Sequence, residues 1–471
     1  MYDTIVVGLG AAGAAAASTL ARAGRRVLAL EAQDRVGGRV RSDTVPGGVV
    51  EVGAEWIHGQ VSSSVYELAV QHGVPLRVQE LTFEVYRSDG ARTDRTLMDD
   101  LIAYCLRVME EGSDVEESLG HLIERKFRSY VAQKYPQLLQ DQDLVDNFLE
   151  LMNLLVVNHE AADDWRLVSA LSRYTPLEGE QHITWHRCGY QTLFDILLNT
   201  YNGGGGLPSL DIKLKTEVSG VQWSARGVLV RCADGAQYQA DNVILTVSLG
   251  VLKERHAALF SPPLPAEKVA AIEGISIGVM NKVILCWERR WWSARTTFLA
   301  FLWRARDRAA LPAAERWLLG VFGASEPAGA RTALTLWTSG EVGRMVETLP
   351  EEVVRTKLVA LLQRFVGGDV TVPQPARVIR STWYSNPFTR GSYSYDNLQA
   401  PARPAARRAL AAPLLAGAGA GAGAGAPRVL FAGEATDETH FSTVHGALDS
   451  GRREAARLLA RAPPAPHTSK I

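Results

Sequence analysis

Gly8-Leu9-Gly10-Ala11-Ala12-Gly13 spaces three glycines as GxGxxG between an apolar strand pattern at 3–8 and an Ala-rich stretch at 11–23. In that context each glycine has a task. Gly8 permits a tight turn, Gly10 lets a pyrophosphate approach the backbone, and Gly13 lets helix and strand pack closely. The helix start, with Ala12 in its first turn, then faces free N–H groups toward the phosphates. Glu31 closes the next strand pattern, 18 residues after Gly13. A carboxylate there accepts both hydroxyls of an adenosine ribose and disfavours a 2′-phosphate. Gly37-Gly38-Arg39-Val40-Arg41 follows, offering backbone N–H groups and two guanidiniums to the same diphosphate, an addition that a plain nicotinamide dehydrogenase does not need. Lys282 is the second chemical feature. Within NKVILCWE it alternates with inward apolar positions, so the pattern turns its ammonium into the interior, where burial is costly unless water or a cofactor accepts its hydrogen bonds.

These residues need a frame. The strand at 3–8, the helix at 11–23 stopped by Gly24 and the strand at 26–31 make a βαβ unit. Residues 97–111, 117–134 and 138–158 carry apolar residues at helical spacing and predict a helical block. Strands are expected at 217–223 and 227–232, joined by Ser224-Ala225-Arg226, and at 243–247, 281–288 and 333–338. The strand at 428–433 and the helix at 446–460 form a second crossover of the Rossmann type. Two segments look unstructured: Gly203 to Gly206, and the alternating Ala-Gly run 416–426, a tolerated loop insertion.

LEAQDRVGGRVRS after GxGxxG resembles the flavin amine oxidase family, which includes monoamine oxidases, polyamine oxidases, L-amino-acid oxidases and lysine-specific histone demethylases. The resemblance continues at Gly53-Ala54-Glu55-Trp56-Ile57-His58-Gly59, at Asn281-Lys282, at Arg390-Gly391-Ser392-Tyr393-Ser394-Tyr395 and at Phe431-Ala432-Gly433-Glu434-Ala435-Thr436, so it spans nearly the whole chain. The WIHG, RGSYSY, LFAGEAT and STxHGAL strings are most similar to animal spermine and N1-acetylpolyamine oxidases. The resemblance implies a mixed α/β (α+β) fold, in which a Rossmann-type FAD-binding domain (1–80, 207–270 and 427–462) interleaves with a substrate domain of mixed sheet plus helices (81–206 and 271–415). The Ala/Gly loop 416–426 and the tail 463–471 stand outside both.

The same resemblance assigns roles. Glu31, Gly38, Arg39 and Arg41 would hold adenosine and diphosphate, and Val218 would offer its backbone to the adenine. Gly53, Ala54, Glu55 and Trp56 would line the cofactor, with Gly433 and Glu434 at the ribityl or pyrophosphate region. Thr443 and the backbone at Val444 would face the flavin. Lys282 would contact the flavin N5 through a water and help O2 reoxidise the ring. His58 would hydrogen-bond an amine or pack as a core histidine. Glu55 departs from the animal pattern, and a carboxylate there could pair with a distal ammonium. Tyr393 and Tyr395 would wall the substrate, or Tyr395 would pack. Ser442 and Thr443 would touch the substrate amine or acetamide, and Trp291, Trp292 and Trp383 either line a tunnel or fill core. No cysteine follows Cys286, so the covalent flavin attachment of monoamine oxidases is excluded and FAD is expected noncovalently. The implied reaction is hydride loss from a secondary amine of spermine or N1-acetylated spermine or spermidine to the flavin, imine hydrolysis, and O2 reduction to hydrogen peroxide. Oxidation of another amine, or a flavin-binding paralogue without turnover, are the alternatives.

Composition bounds the rest. With 46% hydrophobic and 21% charged residues and a formal net charge of −1, no overall field draws nucleic acid or anionic membrane. Four widely spaced cysteines without CxxC pairing read as reduced thiols of an intracellular protein, and the immediate strand after Met1 leaves no room for a secretory signal. No apolar run reaches the length of a spanning helix, and a monomer is expected. Ser469-Lys470-Ile471 resembles the peroxisomal SKL signal, so a peroxisomal import receptor is an expected partner and the cytoplasm the other location.

Overall fold

A computed structural model of the chain describes residues 1–171, 174–293, 297–368, 370–398, 405–416 and 425–460. Buried Val and Ile side chains build two adjacent parallel strands, Tyr2–Val7 and Val27–Leu30, with the helix Ala11–Arg22 between them. Alanine suits that helix twice: it costs no side-chain entropy on helix formation, and its short side chain lets the helix lie close to its neighbours. The closing helix, Val444–Leu459, crosses it so tightly that a Cβ on Gly451 would sit 2.0 Å from the carbonyl oxygen of Ala12.

The large sheet runs in the order Phe260–Ser261, Val218–Ser224, Gly227–Cys232, Gln237–Leu245, Tyr2–Val7, Val27–Leu30, Leu210–Lys213. Its long strand changes partner along its length. Residues 237–240 pair antiparallel with 228–231, and 243–245 pair parallel with 429–431 of the strand Pro427–Phe431. Leu414–Leu415, placed by sequence with the substrate domain, instead pairs with Pro427–Phe431. The reason is a hairpin: Ala416 N–H donates to Ala426 O at 2.8 Å, closing the chain around the Ala/Gly run, of which 417–424 lie outside the described residues. Residues 183–197, also assigned to the substrate domain, join the core of the Ala-rich helix, because Leu193, Phe194, Ile196 and Leu197 cover that helix.

A second, six-stranded sheet has the order Arg377–Arg380, Met280–Cys286, Ala333–Ser339, Val321–Ser325, Phe298–Leu302, Phe83–Arg87. The helical block, Arg95–Glu111, Leu119–Lys134 and Gln142–Glu160, shares one core with its strands. Each of these helices starts at a side-chain cap: Asp94 accepts from Leu97 N–H at 2.9 Å, Ser118 from His121 N–H at 3.2 Å and Asp141 from Leu144 N–H at 3.0 Å. The expected glycine coil is an ordered turn, with Gly206 N–H bonded to Asn199 O at 2.9 Å after the short helix Tyr201–Gly203. All four cysteines are free, and only Cys188 is exposed. Among the described residues no helix is long and apolar enough to cross a membrane.

Candidate active site

At the end of the first strand Gly8 turns with φ 92°, a conformation that favours glycine. A Cβ on Gly13 would lie 1.9 Å from Gly8 O, and one on Gly38 (φ 56°) would lie 3.2 Å from the Cα of Gly10. Backbone therefore faces backbone across a side-chain-free cleft. The helix that opens there has Gly10 as its N-cap, no side-chain cap and no acidic residue in its first turn. Glu31, 5% exposed, accepts Leu9 N–H at 2.7 Å and Gln33 N–H at 2.9 Å, which fixes its carboxylate at the turn and leaves further lone pairs for hydroxyls. Val218 opens its strand nearby in the same sheet.

Across the cleft Arg39 donates to Glu434 Oε1 at 2.9 Å and to Ser392 O at 2.7 Å. The other Glu434 oxygen accepts from Ser394 Oγ at 2.7 Å and Ser442 N–H at 2.9 Å. Burial alone would raise the Glu434 pKa, but Arg39, the Ser394 hydroxyl and Arg407 together hold it below the ordinary value. Gly433 (φ 136°) leaves open space where a Cβ would point. An uncapped helix start, a glycine-lined approach and a fixed carboxylate at one end with an arginine at the other fit the diphosphate and ribose of FAD.

Lys282 is 1% exposed. Its Nζ donates to Glu55 Oε2 at 2.7 Å, Gly53 O at 2.9 Å and Glu51 O at 3.1 Å, and lies 4.7 Å from the centre of the Trp337 ring. Asn281 beside it accepts from Ser381 Oγ at 2.8 Å, and Ser381 Oγ in turn accepts Lys282 N–H at 2.7 Å, so the Asn-Lys pair locks this strand against the next segment. Glu55 thus meets the lysine rather than a distal substrate ammonium. Glu51 accepts Tyr190 N–H and Ser42 Oγ, yet burial outweighs these bonds and Lys282, pushing its pKa up to about 8. Trp56 stacks on Trp337 (5.7 Å, 13°) and donates to Gln79 at 2.8 Å. Ala54 sits between these anchors, its N–H bonded to Arg39 O at 3.2 Å.

His58 Nδ1 lies 2.7 Å from Gln181 O. A carbonyl only accepts, so Nδ1 carries the proton and the neutral ring presents Nε2 as an acceptor. Burial lowers the His58 pKa to about 4, which keeps it in that form. Glu160, at the end of its helix, has a carboxyl that is 25% exposed and meets only His159 Nε2, at 3.9 Å, within ion-pair distance among the described residues. Burial raises its pKa, with His159 and Arg407 acting against Asp396. Its charge adds to burial in raising the hydroxyl pKa of Tyr174, Tyr393 and Tyr395.

Other expectations are corrected by the geometry. Tyr395 is 4% exposed in the core under the helical block, and Tyr393 donates to the carbonyls of Asn158 and His159. The Ser442 hydroxyl is spent on Ser394 O, and Thr443 caps the closing helix through Gly446 N–H at 3.0 Å, because an N-terminus inside the protein needs an acceptor. Val444 follows as its first residue. Arg41 pairs with Asp43 at 3.1 Å and lines a separate cavity of about 430 Å³ with Arg35, Ser381 and Trp383, apart from Arg39. Trp291 and Trp292 fill core with Trp287, whereas Trp383 abuts Gly53. Sequence reasoning missed four residues. Arg35 donates to the carbonyls of Val36, Gly38 and Val40 and shapes the GGR turn. Arg407 donates to Ser394 Oγ at 2.8 Å and Asp396 at 3.1 Å behind Glu434. Trp337 and Glu160 complete the set; Trp337 stands opposite Lys282 through a cross-strand register that no local sequence pattern marks.

A model of the family described as flavin containing amine oxidoreductase matches residues 11–459. The human peroxisomal N(1)-acetyl-spermine/spermidine oxidase is 33% identical over 97% of this chain and 94% of its own length, and the Bos taurus protein of that name 32% over the same shares. A putrescine oxidase solved with putrescine bound matches the fold with a TM-score of 0.67 at 20% identity, covering 98% of this chain and 99% of that one.

Proposed function

Since the chain belongs to the flavin-containing amine oxidoreductase family and is an FAD-dependent amine oxidase, we propose that it oxidises a polyamine, spermine or an N1-acetylated spermine or spermidine, at a secondary amine. The observation that carries this reading is the partly buried Glu160 carboxylate among three tyrosines, with the acceptor nitrogen of His58 also within electrostatic reach of His159. A monoamine has no use for a second, anionic subsite.

In this reading Gly8, Gly10, Ala12, Gly13, Glu31, Gly38, Arg39, Val218, Gly433, Glu434 and Val444 hold the cofactor. When bound, FAD supplies the hydride acceptor for the amine α-carbon and the route for those electrons to O2, leaving an imine that water hydrolyses. Lys282 faces the flavin from within the protein. The chain's own part is positioning. His58 Nε2 accepts the N–H of the reacting amine and, being uncharged, neither repels the polycation nor competes for its proton. Glu160 takes a distal ammonium at the far end of the methylene chain. Hydride leaves from a neutral amine, so turnover rises with pH as the bound amine loses its proton.

Peroxide release from the FAD-loaded protein with spermine, spermidine, N1-acetylspermine and tyramine tests the reading. Polyamines are expected to win, and Glu160→Gln to raise their KM by roughly tenfold, the worth of one charge-assisted bond of about 1.5 kcal/mol. Tyramine turned over as well as every polyamine, by both proteins alike, would end it. A peroxisomal location, carried in the names of both mammalian relatives, is proposed with it; Ser469-Lys470-Ile471 lies outside the described residues. A full-length fluorescent fusion is expected in peroxisomes, and a diffuse signal removes that part.

A further inference from the structure

We propose that Glu55 is a positioning residue that holds Lys282 as an ammonium and cancels its charge beside the flavin, so that the pair, rather than the lysine alone, sets the reduction potential of bound FAD. The inference rests on Lys282 facing the flavin, as proposed above.

The hydrogen-bond count comes first. Three acceptors surround Nζ: Glu55 Oε2 at 2.7 Å, Gly53 O at 2.9 Å and Glu51 O at 3.1 Å. An ammonium has three N–H groups to give, whereas a neutral amine has two and a lone pair, so the arrangement fits the charged form. Two of the acceptors are uncharged carbonyls, and the counter-charge comes from Glu55 alone. The lysine and glutamate side chains are 1% and 4% exposed. Water therefore screens neither, and each charge offsets much of the cost of burying the other, while the Gly53 and Glu51 carbonyls remain to hold the ammonium when Glu55 is neutralised.

Among the described residues the surroundings add no further charge. Glu51, whose charge reaches both members of the pair, is pushed by burial up to about 8 and is mainly protonated at pH 7. His182, which senses Glu55, has its pKa lowered by burial and stays neutral. On the remaining flank lies the Trp337 ring, which does not titrate. At neutral pH the local sum is one cation and one anion.

A lone cation beside the ring would favour its reduced, more negative state, and a neutral pair removes most of that pull.

The test is the midpoint potential of the FAD-loaded protein at pH 7, measured by equilibration with a reference dye during photoreduction. Glu55→Gln keeps the shape and an acceptor but removes the anion, and is expected to raise the potential by about 30 mV or more, a tenfold change for a two-electron couple. Lys282→Met is expected to lower it, and the double variant to return close to wild type. An unchanged potential in Glu55→Gln, or shifts of the same sign in both single variants, would overturn the proposal. Should the single variants fold poorly, urea unfolding of the FAD-loaded proteins gives a second readout. The double variant should then regain most of the stability lost by either single one, and a double variant no more stable than the worse single one counts against the pair. No polyamine enters either measurement, so a failed substrate assignment leaves these outcomes intact.

Discussion

His58 is kept uncharged by the same burial that brings it to the site, and this has a cost at low pH. An unfolded chain takes up the imidazole proton as pH falls through about 6.5, while the folded protein does so only near 4. Between those values the unfolded state binds more protons, so stability falls as pH drops across the window. His58→Asn should flatten that part of the profile, recovering roughly 1–3 kcal/mol at pH 4 relative to its own value at pH 7. Melting curves from pH 4 to 7 would show it, and parallel profiles would refute it. At this scale the sequence was informative where a residue's task depends on its neighbours in the chain. Glu31 sits at the turn through Leu9 and Gln33, two residues and one strand away, and the inward register of Lys282 follows from a period of two. Glu160 and Trp337 were not legible, because tyrosines at 174, 393 and 395 and a cross-strand pairing give them their meaning. The internal bonds of Ser442 and Thr443 were not legible for a related reason: a hydroxyl near a ligand site and a hydroxyl capping a helix look alike until the helix start is seen.

Among the elements, the crossing of the two helices Ala11–Arg22 and Val444–Leu459 is the most exacting. The clash of a Cβ on Gly451 is with backbone, the Ala12 carbonyl, and no rotamer change relieves it. Gly451→Ala must push the helices apart and is expected to cost about 1–3 kcal/mol. Ala12 lies in the uncapped first turn, so FAD affinity should fall as well. Gly274→Ala, at the end of the helix Ala266–Gly274 with no atom within 4 Å of the new methyl, is the control and should be neutral or slightly stabilising. Flavin fluorescence titration and melting temperature read both effects, and a Gly451→Ala protein matching the control would refute the packing argument. Helices announced by caps or by alanine runs were readable in the sequence. The strands Phe298–Leu302 and Val321–Ser325 were not, since both are buried throughout and leave no alternation to detect. The helices Gly340–Thr348 and Glu351–Val366, separated only by Leu349-Pro350, also escaped.

For the molecule as a whole, the α/β class and the two-sheet plan follow from the order of motifs, but the boundaries between sheets do not. Leu414–Leu415 belongs to the large sheet only because a hairpin returns it there, and residues 183–197 belong to its core only because four apolar side chains find the Ala-rich helix. Both are contacts at long chain separation, which local patterns do not encode. The proposed nucleotide site draws on opposite extremes of the polypeptide: the glycine turn at residues 8–13 and the helix that begins at Val444. A ribosome delivers the first of these hundreds of codons before the second. During translation the nascent Ala-rich helix therefore waits with its crossing face uncovered, and the vitamin-derived ring has no finished seat. On the proposed assignment of Val444 to the cofactor, flavin loading is an event of the completed polypeptide, and a message cut short near its 3′ end is expected to yield a product that lacks the yellow chromophore.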